Sequence, residues 1–102
     1  NTVEEILIPG LPLGSMKTTN FDLRNFKLEE NDAFVLISDG LPECSNPEGE
    51  MLDYHAVQDC IQENGDRSAQ GIIDSLIDLG DSWMSGRMND DDITLVVIKK
   101  KN

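Results

Sequence analysis

Two runs of apolar, mostly β-branched residues constrain the fold of this chain more than any other feature of its sequence. The first run is AFVLI at 33–37 and the second is ITLVVI at 93–98, and polar residues precede and follow both runs. Short continuous apolar runs of this kind are typical of strands that are covered on both faces of a sheet. The sequence therefore predicts two core strands, contributed by distant parts of the chain.

The segment between these runs has helical periodicity instead. Apolar residues recur at helical spacing from Leu52 to Ile61, and Asn64-Gly65 supplies a stop signal. A second helix is expected to begin after Asp66 or Ser68 as the N-cap and to end at Gly86 or Asn89. Its apolar stripe consists of Ile72, Ile73, Leu76, Ile77, Leu79 and Trp83.

Two further strands are expected near the beginning of the chain. Val3–Ile8 is a short apolar run closed by the turn signal Pro9-Gly10, and Met16–Leu28 approaches strand alternation with one irregularity. The predicted order is β-β-β-α-α-β. Because its two helices are consecutive, this order favours an α+β fold with a mainly antiparallel sheet. The length of 102 residues fits one domain or part of one, and a chain that begins with Asn1 is expected to be a cut piece.

The charge of the chain restricts its partners. Eight basic and twenty acidic residues give a net charge of −12, which would repel nucleic acid and anionic membrane surfaces. No apolar run approaches the roughly 20 residues that cross a bilayer. Cys44 and Cys60 have neither the spacing of a zinc site nor that of a disulfide framework, so reduced thiols and a cytoplasmic location are expected.

Acidic residues stand at the ends of both core runs. Asp39 follows the first run, and Asp91-Asp92 precede the second. If the two strands are antiparallel neighbours, these carboxylates meet at one end of the sheet, where oxygen ligands suit Mg²⁺, Mn²⁺ or Ca²⁺. The alternative is that Asp39-Gly40 forms a simple turn and that 89–92 is a solvated loop, because Asp, Asn and Gly are common turn residues. Spacing alone favours this alternative.

Four segments in fixed order carry a family resemblance: GLPLG at 10–14, FVLISDGLPE at 34–43, NPEGEML at 46–52 and DDITLVVI at 91–98. Together they resemble the C-terminal half of the PPM-type (type 2C) metal-dependent protein serine/threonine phosphatases. The similarity is greatest to the branch of sporulation stage II protein E and the regulators of anti-sigma-factor antagonists. This resemblance implies part of an αββα sandwich. Residues 1–102 would then be a single partial domain whose N-terminal half is absent.

The resemblance also implies roles for individual residues. Asp39 and Asp91 match aspartates that bind one ion of a Mn²⁺ or Mg²⁺ pair, and no catalytic residue is implied beyond metal ligands because a metal-activated water attacks the phosphate. His55, on a predicted helix, is given no role. Four further positions match residues that support the site: Gly40, Glu43, Asp92 and Thr94.

The expected function is therefore that of a bacterial phosphatase domain acting on phosphoserine or phosphothreonine in a regulatory protein such as an anti-sigma-factor antagonist. The isolated piece is expected to be inactive because the remaining metal ligands are missing, and to self-associate through its uncovered apolar sheet. No nucleic acid or membrane partner is expected for this segment. The alternative is a noncatalytic module that keeps the phosphatase-like scaffold and binds a partner. A calcium-binding module is less favoured, since no DxDxDG loop is present.

Overall fold

The computed structural model describes residues 3–6, 15–18 and 23–101. Within these ranges the elements follow the order β1 (Ala33–Ile37), α1 (Tyr54–Asn64), α2 (Ala69–Met84) and β2 (Leu95–Lys99). The two strands form one antiparallel sheet, and the two helices are consecutive between them. The predicted α+β class is confirmed.

The sheet pairs the two apolar runs along their whole length. Its register runs from Ala33 opposite Lys99 to Ile37 opposite Leu95. One face carries side chains that pack against the buried core, contributed by Ala33, Val35, Ile37, Leu95 and Val97. Since side chains alternate along a strand, the remaining apolar residues lie on the opposite face.

Coverage of both faces, which the sequence predicts, is not found within the described ranges. The opposite face is about half exposed at Leu36 (48%), Val96 (44%) and Ile98 (50%). The ring of Phe26 contacts that of Phe34 at a centroid distance of 5.8 Å. The core residues contributed by α1 and α2 pack against the first face, and no described helix or strand covers the second. We refer to Phe34, Leu36, Val96 and Ile98 as the open sheet face.

Both helices have ends that the sequence explains. The Asp53 side chain accepts a hydrogen bond from the Tyr54 backbone at the start of α1, and Ser68 caps α2 by accepting one from the Gly71 backbone. The second helix ends where Ser85 adopts a left-handed conformation, with Gly86 following at φ 90°. Among the predicted alternatives Ser68 is the N-cap, whereas the C-cap is Ser85, one residue before the predicted Gly86. Neither helix in the described ranges has the length and apolarity needed to cross a bilayer.

The core lies between the helices and the sheet, and it includes the loop that follows β1. Leu41 and Pro42 in this loop are fully buried, as are Ile72 and Leu76 of α2. Burying a leucine-sized side chain contributes roughly 1.5–3 kcal/mol. The complete buried apolar cluster is Leu41, Cys44, Leu52, Val57, Ile72, Leu76 and Met84. The loop that begins at Asp39 is thus held in place by its own buried side chains.

The two strands expected before β1 are not found in their described parts. Residues 3–6, 16–18 and 23–28 form no strand, while 7–14 and 19–22, including the GLPLG connector, lie outside the described residues. A strand requires a hydrogen-bonded partner, and in the described sheet β1 and β2 pair only with each other. The order in the described residues is therefore β-α-α-β instead of β-β-β-α-α-β.

Candidate functional site

The antiparallel pairing brings the end of β1 beside the start of β2. Past the last ladder pair, the Ser38 backbone N–H donates to the Thr94 carbonyl at 3.0 Å. The Thr94 N–H donates to Ser38 Oγ at 2.9 Å. This side-chain contact replaces a ladder bond, which explains why β2 begins at Leu95 and not at the predicted Ile93. The segments that carry Asp39 and Asp91 consequently lie at the same end of the sheet.

Gly40 makes the closest approach between these segments. A Cβ atom placed on Gly40 would overlap the carbonyl oxygen of Asp92 and would lie 2.8 Å from its carbonyl carbon. Asn89 Nδ2 donates to the Gly40 carbonyl at 3.1 Å, which adds a second link between the loops. Glycine is thus required at position 40 because it has no side chain, which lets the two backbones touch.

Asp39 is held from within its own loop and from α1. Its backbone carbonyl accepts from the Glu43 N–H at 3.0 Å, which closes a turn that carries both carboxylates. The hydroxyl of Tyr54, the first residue of α1, donates to Asp39 Oδ1 at 2.8 Å. The same hydroxyl lies 3.2 Å from Glu43 Oε2. Asp39, Glu43 and Tyr54 therefore form one connected polar cluster.

These contacts change the acidity of the phenol. The hydrogen bond to Asp39 is the largest cause that raises the pKa of Tyr54 to about 12, followed by desolvation and the hydrogen bond to Glu43. Removing the proton would place a third negative charge beside two carboxylates. Tyr54 is consequently a neutral hydrogen-bond donor at physiological pH.

The β2 side of the site is also organised by backbone contacts. Asp91 Oδ1 accepts from the Asp92 N–H at 2.8 Å, and Asp92 contributes its carbonyl oxygen to the contact with Gly40. Thr94 contributes its backbone N–H and carbonyl to the pairing with Ser38. Asp39, Asp91 and Asp92 are all exposed to solvent. The structure thus brings all six residues named from the sequence to one end of the sheet.

The donor set partly fits a divalent cation. The Oδ2 atoms of Asp39 and Asp91 make no protein hydrogen bond in the described part of the chain, and carboxylate oxygens are ligands that Mg²⁺ and Mn²⁺ accept. Within that same part, no three His, Cys, Asp or Glu side chains cluster closely enough to hold a metal ion. An octahedral ion takes six oxygens. These two aspartates could therefore contribute to a metal site but could not complete one.

Neither cysteine has the properties of a nucleophile. Burial raises the pKa of both the Cys44 and the Cys60 thiols, with Cys44 inside the core and Cys60 half-buried on α1. Both thiols are therefore largely protonated near neutral pH, whereas thiolates are the reactive form.

Sequence reasoning missed three residues that organise the site: Ser38, Tyr54 and Asn89. The first two contact partners across the fold, and the third joins the loop before β2 to Gly40. For Ser38, its place between a core strand and Asp39 was a usable signal. For Tyr54, fifteen positions beyond Asp39, no spacing rule predicts the contact.

The fold and the site together define an α+β chain whose two paired core strands carry exposed acidic residues at one end. The particular family follows from comparison with known proteins. The family model described as Stage II sporulation protein E (SpoIIE) matches residues 1–101, and the chain therefore belongs to the SpoIIE family. The resemblance seen in the four sequence segments is confirmed.

One curated relative is a phosphatase. The chain is 34% identical over 105 residues to the phosphoserine phosphatase RsbU of Bacillus subtilis (strain 168). The match covers 99% of this chain and 30% of RsbU, so the chain spans less than a third of the length of that relative. No solved structure matches the chain.

Proposed function

We propose that this chain forms part of a metal-dependent phosphatase domain that hydrolyses phosphoserine or phosphothreonine in a regulatory protein such as an anti-sigma-factor antagonist. The observation that carries the proposal is the match of 99% of the chain to a phosphoserine phosphatase. The placement of Asp39 and Asp91 at one end of the sheet is compatible with it. The proposal concerns the whole domain, of which these residues supply one portion.

In this proposal Asp39 and Asp91 would supply carboxylate oxygens to a Mn²⁺ or Mg²⁺ ion. A divalent ion in such a site lowers the pKa of a bound water and neutralises charge on phosphate oxygens. The chain's own residues orient the ligands: Ser38 joins the two strand ends, and Gly40 allows the loops to touch. Since two carboxylates leave most coordination positions unfilled, the isolated 102-residue chain should be inactive.

The test is to replace each proposed ligand in the full-length protein. Asp39→Asn and Asp91→Asn should each lower Mn²⁺-dependent hydrolysis of a phosphoserine peptide by roughly 100-fold or more, because an electrostatic contribution of several kcal/mol is lost. Asp78→Asn, at an exposed position on α2, is the matched control and should leave the rate unchanged. Wild-type rates in both ligand variants would refute the assignment.

A noncatalytic binding module is the second candidate. On this alternative, the full-length protein would bind its phosphorylated partner without releasing phosphate at any Mn²⁺ or Mg²⁺ concentration. Phosphate release and partner binding measured on the same sample separate the two functions.

A further inference from the structure

Tyr54 connects the first helix to the candidate metal site. It is the first residue of α1, and the carboxylate of the preceding N-cap, Asp53, accepts a hydrogen bond from its backbone N–H at 2.7 Å. Asp53 itself adopts a positive φ of 79°, an uncommon conformation for a residue with a side chain. The backbone at the start of α1 therefore has an unusual conformation, and this conformation determines where the Tyr54 ring lies.

The phenol supplies one proton to two carboxylates. A neutral tyrosine hydroxyl is a single donor, so it can give a full hydrogen bond to one acceptor at a time. The Asp39 oxygen at 2.8 Å is the nearer acceptor, and the Glu43 oxygen lies at 3.2 Å. Asp39 is thus the principal partner, and Glu43 is held beside it as the second acceptor.

The hydrogen bond selects one orientation of the Asp39 carboxylate. A solvent-exposed aspartate side chain otherwise samples several rotamers, and its terminal torsion is broad. With Oδ1 engaged by Tyr54, the orientation is restricted and Oδ2 is left free of protein hydrogen bonds in the described residues. A partner that orients a ligand in this way is a recurring element of metal sites.

We propose that Tyr54 is a positioning residue of the metal site, which orients the Asp39 carboxylate for a divalent cation and ties that orientation to the placement of α1. This inference rests on the proposed function, because it takes Asp39 as a ligand. Tyr54 itself would not be a ligand of the cation. A displacement of the first turn of α1 would withdraw the hydroxyl and leave Asp39 free to rotate.

The first experiment measures Mn²⁺ affinity by isothermal titration calorimetry in the full-length protein. Tyr54→Phe removes only the hydroxyl and should raise the Kd roughly tenfold, at the lower end of what loss of a ligand-orienting partner costs. Its melting temperature should fall only slightly, since Tyr54 is exposed and water screens its interaction with the two carboxylates. Ser75→Ala is the matched control: it removes a hydroxyl with two hydrogen bonds, to Arg67 and the Gly71 carbonyl, and should leave the Kd unchanged.

The second experiment reports on the phenol directly. With tyrosine labelled at Cζ with carbon-13, the NMR resonance that disappears in Tyr54→Phe identifies Tyr54. That resonance should shift on titration with Mg²⁺ with the same Kd as calorimetry gives for Mg²⁺. It should also shift in Asp39→Asn, where the principal acceptor has lost its charge. A purely structural role for Tyr54 would not make its resonance respond to the cation.

The outcomes separate this inference from the proposed function. If Asp39→Asn weakens Mn²⁺ binding and Tyr54→Phe does not, the ligand assignment stands and the positioning role is overturned. If Asp39→Asn binds Mn²⁺ as tightly as the wild type, or the wild type binds none, the proposed function fails and the role of Tyr54 fails with it. Weaker binding in both variants, with an unchanged Ser75→Ala control, supports both.

Discussion

Replacement of Gly40 by alanine tests the contact on which the site depends. The added methyl group would overlap the backbone carbonyl of Asp92, which is not the flexible end of a side chain. The loop before β2 must then move by roughly 1 Å or more to restore ordinary van der Waals separation. Three hydrogen bonds that involve side chains lie across this junction: Asn89 Nδ2 to the Gly40 carbonyl, Thr94 N–H to Ser38 Oγ, and Ser38 Oγ to the Asp92 carbonyl at 3.4 Å.

The size of the effect follows from these contacts. Each hydrogen bond contributes about 1 kcal/mol, and the third is long and therefore weaker. Replacing glycine also restricts the unfolded chain, which offsets the loss by about 0.4–1 kcal/mol. We expect Gly40→Ala to lower the free energy of unfolding by about 2 kcal/mol, within the 1–3 kcal/mol typical of overpacking. For a domain of this size the melting temperature should fall by roughly 10 °C.

Thermal unfolding of the 102-residue chain, followed by circular dichroism, measures this change. Gly65→Ala is the matched control, because Gly65 has an ordinary φ of −60° and its Cβ would meet no atom closer than the Ile61 carbonyl oxygen at 3.3 Å. It should change the melting temperature much less. A Gly40→Ala variant that melts within about 2 °C of the wild type would show that the two loops do not touch there.

Two further predictions concern the phenol and the open sheet face. Tyr54 is the chain's single tyrosine, so tyrosinate absorbance should titrate near its pKa of about 12 and nearer its ordinary value of 10.0 in Asp39→Asn. On raising the pH, the unfolded state loses this proton before the folded state does. The stabilisation of the fold by the protonated phenol is therefore complete below about pH 10 and is lost as the pH rises towards 12. Equal tyrosine titration in the wild type and in Asp39→Asn would contradict this prediction. Val96→Thr, on the open sheet face, should change the free energy of unfolding by less than about 0.5 kcal/mol and should reduce self-association in sedimentation. Val97→Thr, whose side chain packs against the core, should lower the free energy of unfolding by about 1–2 kcal/mol. A monomeric wild-type chain would refute the self-association.

Local patterns predicted most of the regular structure. The apolar run at 33–37 coincides with β1, since polar Asp32 and Ser38 flank it on both sides. The caps and apolar stripe likewise predicted α1 and α2, because capping and helical periodicity act over a few neighbouring residues. The strands predicted before β1 are not formed in the described residues. A strand needs a hydrogen-bonded partner, and a local sequence pattern does not specify one.

The candidate site was likewise predictable from the sequence only in part. Asp39 and Asp91 stand near the ends of the two core strands, and antiparallel pairing brings their segments together. Their role as ligands was implied by the family resemblance, because spacing alone favoured turns. The backbone contact at Gly40 could not be predicted, because it depends on how closely two loops approach after the strands have paired.

The positions of Asp39 and Asp91 near strand ends follow from the sequence, whereas the contacts around Asp39 depend on the tertiary structure. The amino-acid order determined the strands, the helices and which carboxylates stand at strand ends, because these properties depend on neighbours along the chain. The hydrogen bond from Tyr54 depends instead on where α1 lies relative to β1. That placement is set by the buried packing of Leu41 and Val57 with α2, since close-packed side chains permit few relative positions of the elements that carry them.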